Sequence, residues 1–153
     1  MVNTIQQWYN DNPFPGPYEY DDIADKDCLQ NKFMSNINQH CKANKKVLDL
    51  GCGTGMMLNA LAIHNPRCEF TGIDFSNAVG YAEHFAKTNA IQNVKYKQQD
   101  LFELDVEQKY DVVIAQSVLT HTKKWHWALE ILKNLLSDKG ILIVSVYNPK
   151  GKL

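Results

Sequence analysis

The chain has 153 residues, enough for one domain whose core needs no disulfide framework. Its 16 Lys and Arg against 17 Asp and Glu leave a net charge of -1, so electrostatics give no support for a nucleic-acid or membrane-surface partner. No apolar run approaches the roughly 20 residues that span a bilayer, and the N-terminus is polar and aromatic rather than basic then hydrophobic; the chain reads as soluble, not exported, and cytoplasmic.

Residues 1–20 hold Trp8, Tyr9, Phe14, Tyr18 and Tyr20 around Pro13, Pro15, Gly16 and Pro17. The prolines forbid a helix at 13–17, and a short helix from Thr4 to Asn10 is expected before them. So much aromatic surface has to pack on something, either one end of the core or a ligand crevice that it covers. From Asp25 to Lys42, the spacing of Cys28, Leu29, Phe33, Ile37 and Cys41 predicts an amphipathic helix. Residues 1–44 thus form an arm and helix ahead of a core at 45–153.

Lys45 to Leu50 reads as the first strand and runs into Gly51-Cys52-Gly53-Thr54-Gly55. Three glycines in five positions allow positive φ and let a ligand approach main-chain N–H groups. Met56 to His64 is helix-forming, so the turn sits where a strand meets a helix. Cys52 in that turn reads as a nucleophile at a helix N-terminus or as a small residue tolerated in a tight loop. The other cysteines, Cys28, Cys41 and Cys68, form no Cys-x-x-Cys pair and the five histidines are dispersed, so no metal site is expected.

Cys68 to Asp74 is a second strand ending in an acid, with Ser76 as a helix N-cap candidate. Gly80 in that helix has no sequence-level explanation. Asn93 to Asp100 is a third strand ending in an acid, polar enough for an edge. Tyr110 to Ala115 has the near-continuous apolar run of a strand covered on both faces. A helix is expected over Lys123–Leu136, where Trp125, His126 and Trp127 are candidates for a substrate pocket and at least one Trp for the core. Ser137 to Gly140 turns the chain into a fifth buried strand, Ile141 to Val146.

Alternating strands and helices predict an α/β architecture, a three-layer doubly wound, mostly parallel sheet of about five strands. Ligands then bind beyond the carboxyl ends of the strands, where Asp49, Asp74, Asp100 and the Gln116-Ser117 pair fall. A carboxylate two residues before the first glycine would repel a pyrophosphate, but suits a ligand carrying an ammonium and a sulfonium. Asp74, 19 residues after Gly55, suits a ribose diol, and Asp100 an exocyclic adenine amine. That argument disfavours a nicotinamide oxidoreductase.

These stretches resemble the class I S-adenosylmethionine-dependent methyltransferases, a Rossmann-like family. The matching residues are Val47 to Gly55, Ile73-Asp74-Phe75-Ser76, Gln99-Asp100-Leu101, Tyr110 to Ile114 onward to His121, and Ser137 to Ile143. The resemblance implies that Asp49 with Gly51, Cys52, Gly53, Thr54 and Gly55 holds the methionine end of S-adenosylmethionine. It implies that Asp74 holds the ribose, that Asp100 with Leu101 flanks adenine and that Phe75 packs by it; Ser76, Gln116 and Ser117 are taken with them as candidate cofactor-binding residues. Transfer to a small-molecule or protein acceptor is the expected activity. Positioning in a desolvated cage carries most of it, and His121 is the candidate general base.

The family's sheet has seven strands, whereas only Asn148 to Leu153 follow the fifth strand here. An uncovered fifth strand would be an open edge. The alternative to an active enzyme is therefore a non-catalytic cofactor-binding domain or subunit, completed at that edge by a second copy, a partner chain or a further C-terminal part.

Overall fold

The computed structural model describes residues 4–146. Five strands form one parallel sheet: β1 (Lys46–Leu50), β2 (Glu69–Asp74), β3 (Val94–Gln98), β4 (Tyr110–Gln116) and β5 (Leu136–Ser145). The order across the sheet is β3-β2-β1-β4-β5, so the strand order reverses between β1 and β4. A crevice opens at such a reversal because the crossovers on either side leave in opposite directions. Two layers of helix cover the sheet, as expected for a doubly wound fold.

Side chains on a strand alternate between faces, and the core follows that period. Val47, Phe70, Val112 and Ile114 pack with Ile23 of α2 (Tyr20–Ala24), with Met34 and Ile37 of α3 (Lys32–Asn38), and with Leu58 and Leu61 of α4 (Met56–His64). On the other face Leu48, Leu50, Val113 and Ala115 meet Ala128 and Leu132 of α6 (Trp125–Asn134). α5 (Val79–Thr88) lies against β2 and β3 beside α4. Asp49 shares the face of Val47, opposite Gly72 and Ile114, and is 2 % exposed; the alternation has carried a carboxylate into the interior.

α1 (Thr4–Asp11) has no buried residue, although Gln6, Tyr9 and Asn10 are half-buried. The proline segment after it runs across the glycine turn, and Phe14-Pro15 is a cis peptide.

Four expectations need correction. The helix over 25–42 is broken in two: a 3-10 turn at Lys26–Leu29, capped by Asp25, and then α3. Asn31 makes the break, since its side chain accepts from the Met34 N–H and so starts a new helix. Ser76 is not the N-cap of α5, which Ala78 occupies; both the Ser76 N–H and hydroxyl donate to Asp74. β5 begins at Leu136, and Ser137 to Gly140 form an irregularity inside it: β4 advances from Tyr110 to Val112 while β5 advances from Leu136 to Ile141. The strand is half-exposed rather than buried, because it has one neighbour only. Trp125 and Trp127 are 46 % and 69 % exposed, so neither is core. As for Gly80, its Cβ position faces open space, and nothing in the structure requires a glycine there. The stretch Asn148 to Leu153 lies outside the described residues.

Candidate functional site

A cavity of about 730 Å³ opens above the carboxyl ends of β1, β2 and β4. Twelve of the fourteen residues singled out in the sequence line it: Asp49, Gly51, Cys52 and Gly53 from the first turn, Asp74, Phe75 and Ser76 from the second, Asp100 and Leu101 from the third, Gln116, Ser117 and His121 from the fourth. Neither Trp125 nor Trp127 reaches it.

Thr54 and Gly55 lie outside the lining and have other work. The Thr54 N–H donates to Phe14 O at 3.1 Å, its hydroxyl donates to Pro15 O at 2.8 Å, and its carbonyl accepts from the Tyr18 hydroxyl at 3.0 Å. All three bonds tie the turn to the N-terminal arm. Gly55 sits at φ +77°, and a Cβ there would lie 2.5 Å from Ala82 Cβ and 2.8 Å from the Tyr96 hydroxyl. Its bareness allows α4 to pack on α5 and β3. The ligand-facing glycines differ. A Cβ on Gly51 would meet Val118 Cγ2 at 2.7 Å, and one on Gly53 would meet Phe14 O at 1.9 Å.

Behind the turn runs a chain of hydrogen bonds that no local sequence signal announces. The Tyr96 hydroxyl donates to Asn59 Oδ1 at 2.9 Å, Asn59 Nδ2 donates to the Tyr18 hydroxyl at 2.8 Å, and the Tyr18 hydroxyl donates to Thr54 O at 3.0 Å. Asn59 is fully buried, yet each of its side-chain atoms is satisfied. Burial pushes the Tyr18 hydroxyl up to about 12, against a smaller lowering by the Asn59 bond, so it stays a donor at neutral pH.

The carboxylates are not equivalent. Asp74 Oδ2 accepts from the Gly53 N–H at 2.8 Å, while Oδ1 accepts from the Ser76 N–H and hydroxyl at 2.8 and 2.6 Å. Three donors on a group with about four lone-pair sites fix its rotamer and leave capacity toward the cavity. Asp100 caps the 3-10 turn Leu101–Glu103 through the Phe102 N–H. Asp49 is 2 % exposed, and its Oδ1 has no hydrogen-bond partner, alone among buried side-chain polar atoms of the described residues. Burial, then the nearby Asp74 charge, raises its pKa well above the ordinary 3.8. An unsatisfied buried carboxyl is costly by itself. A cationic donor at that spot would satisfy it.

The rim carries strain as well. Ser117 adopts φ +59°, a left-handed conformation that costs a non-glycine residue about 1–2 kcal/mol. Its N–H donates to Ser145 O at 3.0 Å, which turns the chain out of β4 toward the cavity. His121, at the following 3-10 turn, has its Nε2 3.4 Å from the Tyr9 hydroxyl and its ring edge-on to Tyr9. Tyr9 also meets the Phe75 ring edge-on, Gln6 Nε2 donates to Phe75 O, and the Asn77 N–H donates to Asn10 Oδ1. α1 therefore bridges the loops after β2 and β4, with Ile5 and Tyr9 on the cavity wall. The two readings left open for the aromatic segment both apply: the arm packs on the turn, and the helix before it covers the crevice.

Comparison with known proteins is consistent with this geometry. A family model described as "Methyltransferase domain" matches residues 41–153. A malonyl-[acyl-carrier protein] O-methyltransferase from Bacillus anthracis is 29 % identical over 122 residues, covering 78 % of this chain and 44 % of the relative. A ubiquinone biosynthesis O-methyltransferase from Glaesserella parasuis is 32 % identical over 115 residues, covering 71 % and 48 %. The chain thus spans less than half the length of these curated relatives. Among solved structures, a magnesium protoporphyrin IX methyltransferase from Synechocystis PCC 6803 with bound SAH superposes with a TM-score of 0.66 at 23 % identity, over 88 % of this chain and 67 % of that one.

Proposed function

The chain belongs to the methyltransferase-domain family, which its residues 41–153 match, and from that premise we propose that it binds S-adenosylmethionine in the cavity and transfers the methyl group to a small-molecule or protein acceptor. One observation carries the reading: the buried, unpartnered Oδ1 of Asp49 at the foot of a glycine turn. A ligand with an ammonium group beside that oxygen gives the carboxylate its missing partner, and its positive charge favours the ionised form. Asp74, held by Gly53 and Ser76, directs its remaining lone-pair capacity at ribose hydroxyls. Phe75, Asp100 and Leu101 supply an apolar and an acceptor edge for adenine. Gln116 and Ser117 close the rim, with Gly51, Cys52 and Gly53 beneath; Thr54 and Gly55 act on the site through the arm and through helix packing.

When bound, S-adenosylmethionine supplies a methyl group already activated on a sulfonium. The protein's part is then positioning and exclusion of water, with residues 4–44 as cover and the rest as the cofactor-binding core. His121 takes the acceptor's proton where the acceptor carries one at working pH, with Tyr9 orienting the ring. Calorimetric titration with S-adenosylmethionine and S-adenosylhomocysteine tests the reading. Binding that Asp74→Ala abolishes is expected; no binding, with the variant indistinguishable from the parent, sinks it.

A second reading is supported by the open edge of β5. There the chain is a non-catalytic cofactor-binding domain or subunit, completed by a partner chain or a further segment. Methyl-transfer assays across acceptor classes separate the two, since cofactor binding without turnover on any of them favours the second. We place the protein in the cytoplasm; four free cysteines suit a reducing compartment, and no helix among the described residues is long and apolar enough to cross a membrane. Recovery in a membrane or secreted fraction would contradict that placement.

A further inference from the structure

Part of the cavity wall lies away from the cofactor rim. It comes from α2, the 3-10 turn after it, α3 and the first turn of α4, which contribute Ile23, Cys28, Phe33, Met34, Met56 and Met57. Ile23 and Met34 are buried in the core cluster, and the other four pack against it half-buried. The polar side chains of this wall, Cys28 and Asn31, are turned to backbone: Cys28 Sγ donates to Ile23 O, Asn31 Oδ1 accepts from the Met34 N–H, and Asn31 Nδ2 donates to Cys28 O. Two adjacent methionines make the surface adaptable in shape. Because Met56 and Met57 directly follow Gly55, this wall adjoins the turn.

Charge narrows the occupant further. Among the described residues that line the cavity there is no Lys and no Arg, whereas Asp49, Asp74 and Asp100 are all present. An anionic acceptor laid on the apolar wall would lose hydration there and find neither Lys nor Arg to pair with. A volume of about 730 Å³ is in the upper part of the roughly 300–1,000 Å³ range of small-molecule sites, and seats a second molecule beside a cofactor.

We infer that the methyl acceptor is an uncharged small molecule with an extended apolar portion, lying against Ile23, Cys28, Phe33, Met34, Met56 and Met57. Its role as acceptor rests on the methyl-transfer reading; the apolar compartment does not. In the transfer, a lone pair on the acceptor's heteroatom forms the new bond to the methyl carbon as the carbon–sulfur bond breaks. The bonding pair stays on sulfur, which becomes a neutral thioether, and the acceptor's proton goes to His121.

Nile red, a neutral fluorophore, serves as the probe, displaced by 1-decanol or by decanoate of equal chain length at pH 8. Decanol is expected to displace it at least about tenfold more effectively than decanoate, with or without saturating S-adenosylhomocysteine. Met57→Gln should weaken Nile red about tenfold and leave S-adenosylhomocysteine affinity within about threefold; if that variant fails to fold by circular dichroism, Phe33→Gln carries the same expectation. Equal competition by decanoate, no displacement by decanol, or expulsion of decanol by S-adenosylhomocysteine would each overturn the inference while the cofactor reading stands. Loss of S-adenosylhomocysteine binding with decanol displacement intact strikes the cofactor reading and leaves the apolar site in place.

Discussion

Asp49 is the residue at which folding and ligand binding make opposite demands. The native carboxyl holds its proton to a higher pH than the unfolded one, because burial and the Asp74 charge oppose ionisation. Between its ordinary value and the raised one the native state binds more protons, so the contribution to stability is full below about pH 4 and declines as pH rises through that window. Each pH unit within it costs up to about 1.4 kcal/mol, and each kcal/mol moves Tm by roughly 2–4 °C in a chain of this size. Asp49→Asn should therefore flatten the fall in Tm of the ligand-free protein between pH 4 and pH 7, measured by scanning calorimetry, and weaken S-adenosylhomocysteine about 10- to 100-fold through the lost charge-assisted bond. A parallel pH profile for the two proteins would refute the assignment. Gly53 makes the second demand visible. An alanine there combines φ +54° with a Cβ 1.9 Å from the Phe14 carbonyl, so the arm has to leave; a loss of about 1–3 kcal/mol in urea unfolding is expected. Asp49 was legible in the sequence because a lone acid in an apolar strand is conspicuous. The separate duties of Gly53 and Gly55 were not, since the repeat looks the same at each glycine while the atoms that distinguish them belong to Phe14, Ala82 and Tyr96.

At the level of elements, β1, β2 and β4 were readable to within about a residue, because their apolar runs end where the acids and glycines begin, whereas β5 starts five residues earlier than its apolar run, at Leu136. The region before them was harder. A single helical period runs through Cys28, Phe33 and Ile37, but the Asn31 cap costs less to form there than continued helix, and the period carries no record of that competition. Least legible was the clamp from the arm to the glycine turn, whose members Tyr18, Thr54, Asn59 and Tyr96 are spread over most of the cofactor core with no spacing rule. Its effect is testable. Tyr18→Phe removes the donor to Thr54 O and leaves Asn59 Nδ2 with only Ala82 O at 3.5 Å, at a cost of about 1–3 kcal/mol. Hydrogen exchange should quicken at Thr54 and across residues 14–18, with β4 unaffected. Uniform acceleration throughout the sheet would mean that the hydroxyl supports the core rather than the arm.

Across the whole molecule, the parallel doubly wound sheet was predictable from the alternation of strands and helices, whereas the place of the reversal, between β1 and β4, follows from the strand pairing. The two edges differ in character. β3 is polar at alternate positions, as an edge facing water should be, whereas β5 presents Ile141, Leu142, Ile143 and Val144, none of them fully buried. Among the described residues no strand pairs with the outer side of β5, and an apolar edge of that kind invites another strand. Light scattering at micromolar concentration is expected to give a mass above that of one chain, reduced to a single chain by Ile141→Lys; a well-behaved parent monomer would count against completion by a second copy.

α1 bears on both ends of the cavity at once. The same short helix touches Phe75 of the loop after β2 and His121 of the loop after β4, and it is held by hydrogen bonds and ring edges rather than by buried apolar contacts. Both ends of the cavity accordingly open together or not at all. On the cofactor-binding reading, a ligand at either end then leaves only when α1 lifts, on the microsecond-to-millisecond scale of such motions. Truncation of residues 1–11 should quicken release of S-adenosylhomocysteine and of Nile red alike, measured by stopped-flow; a change in one alone would mean that α1 covers only one end.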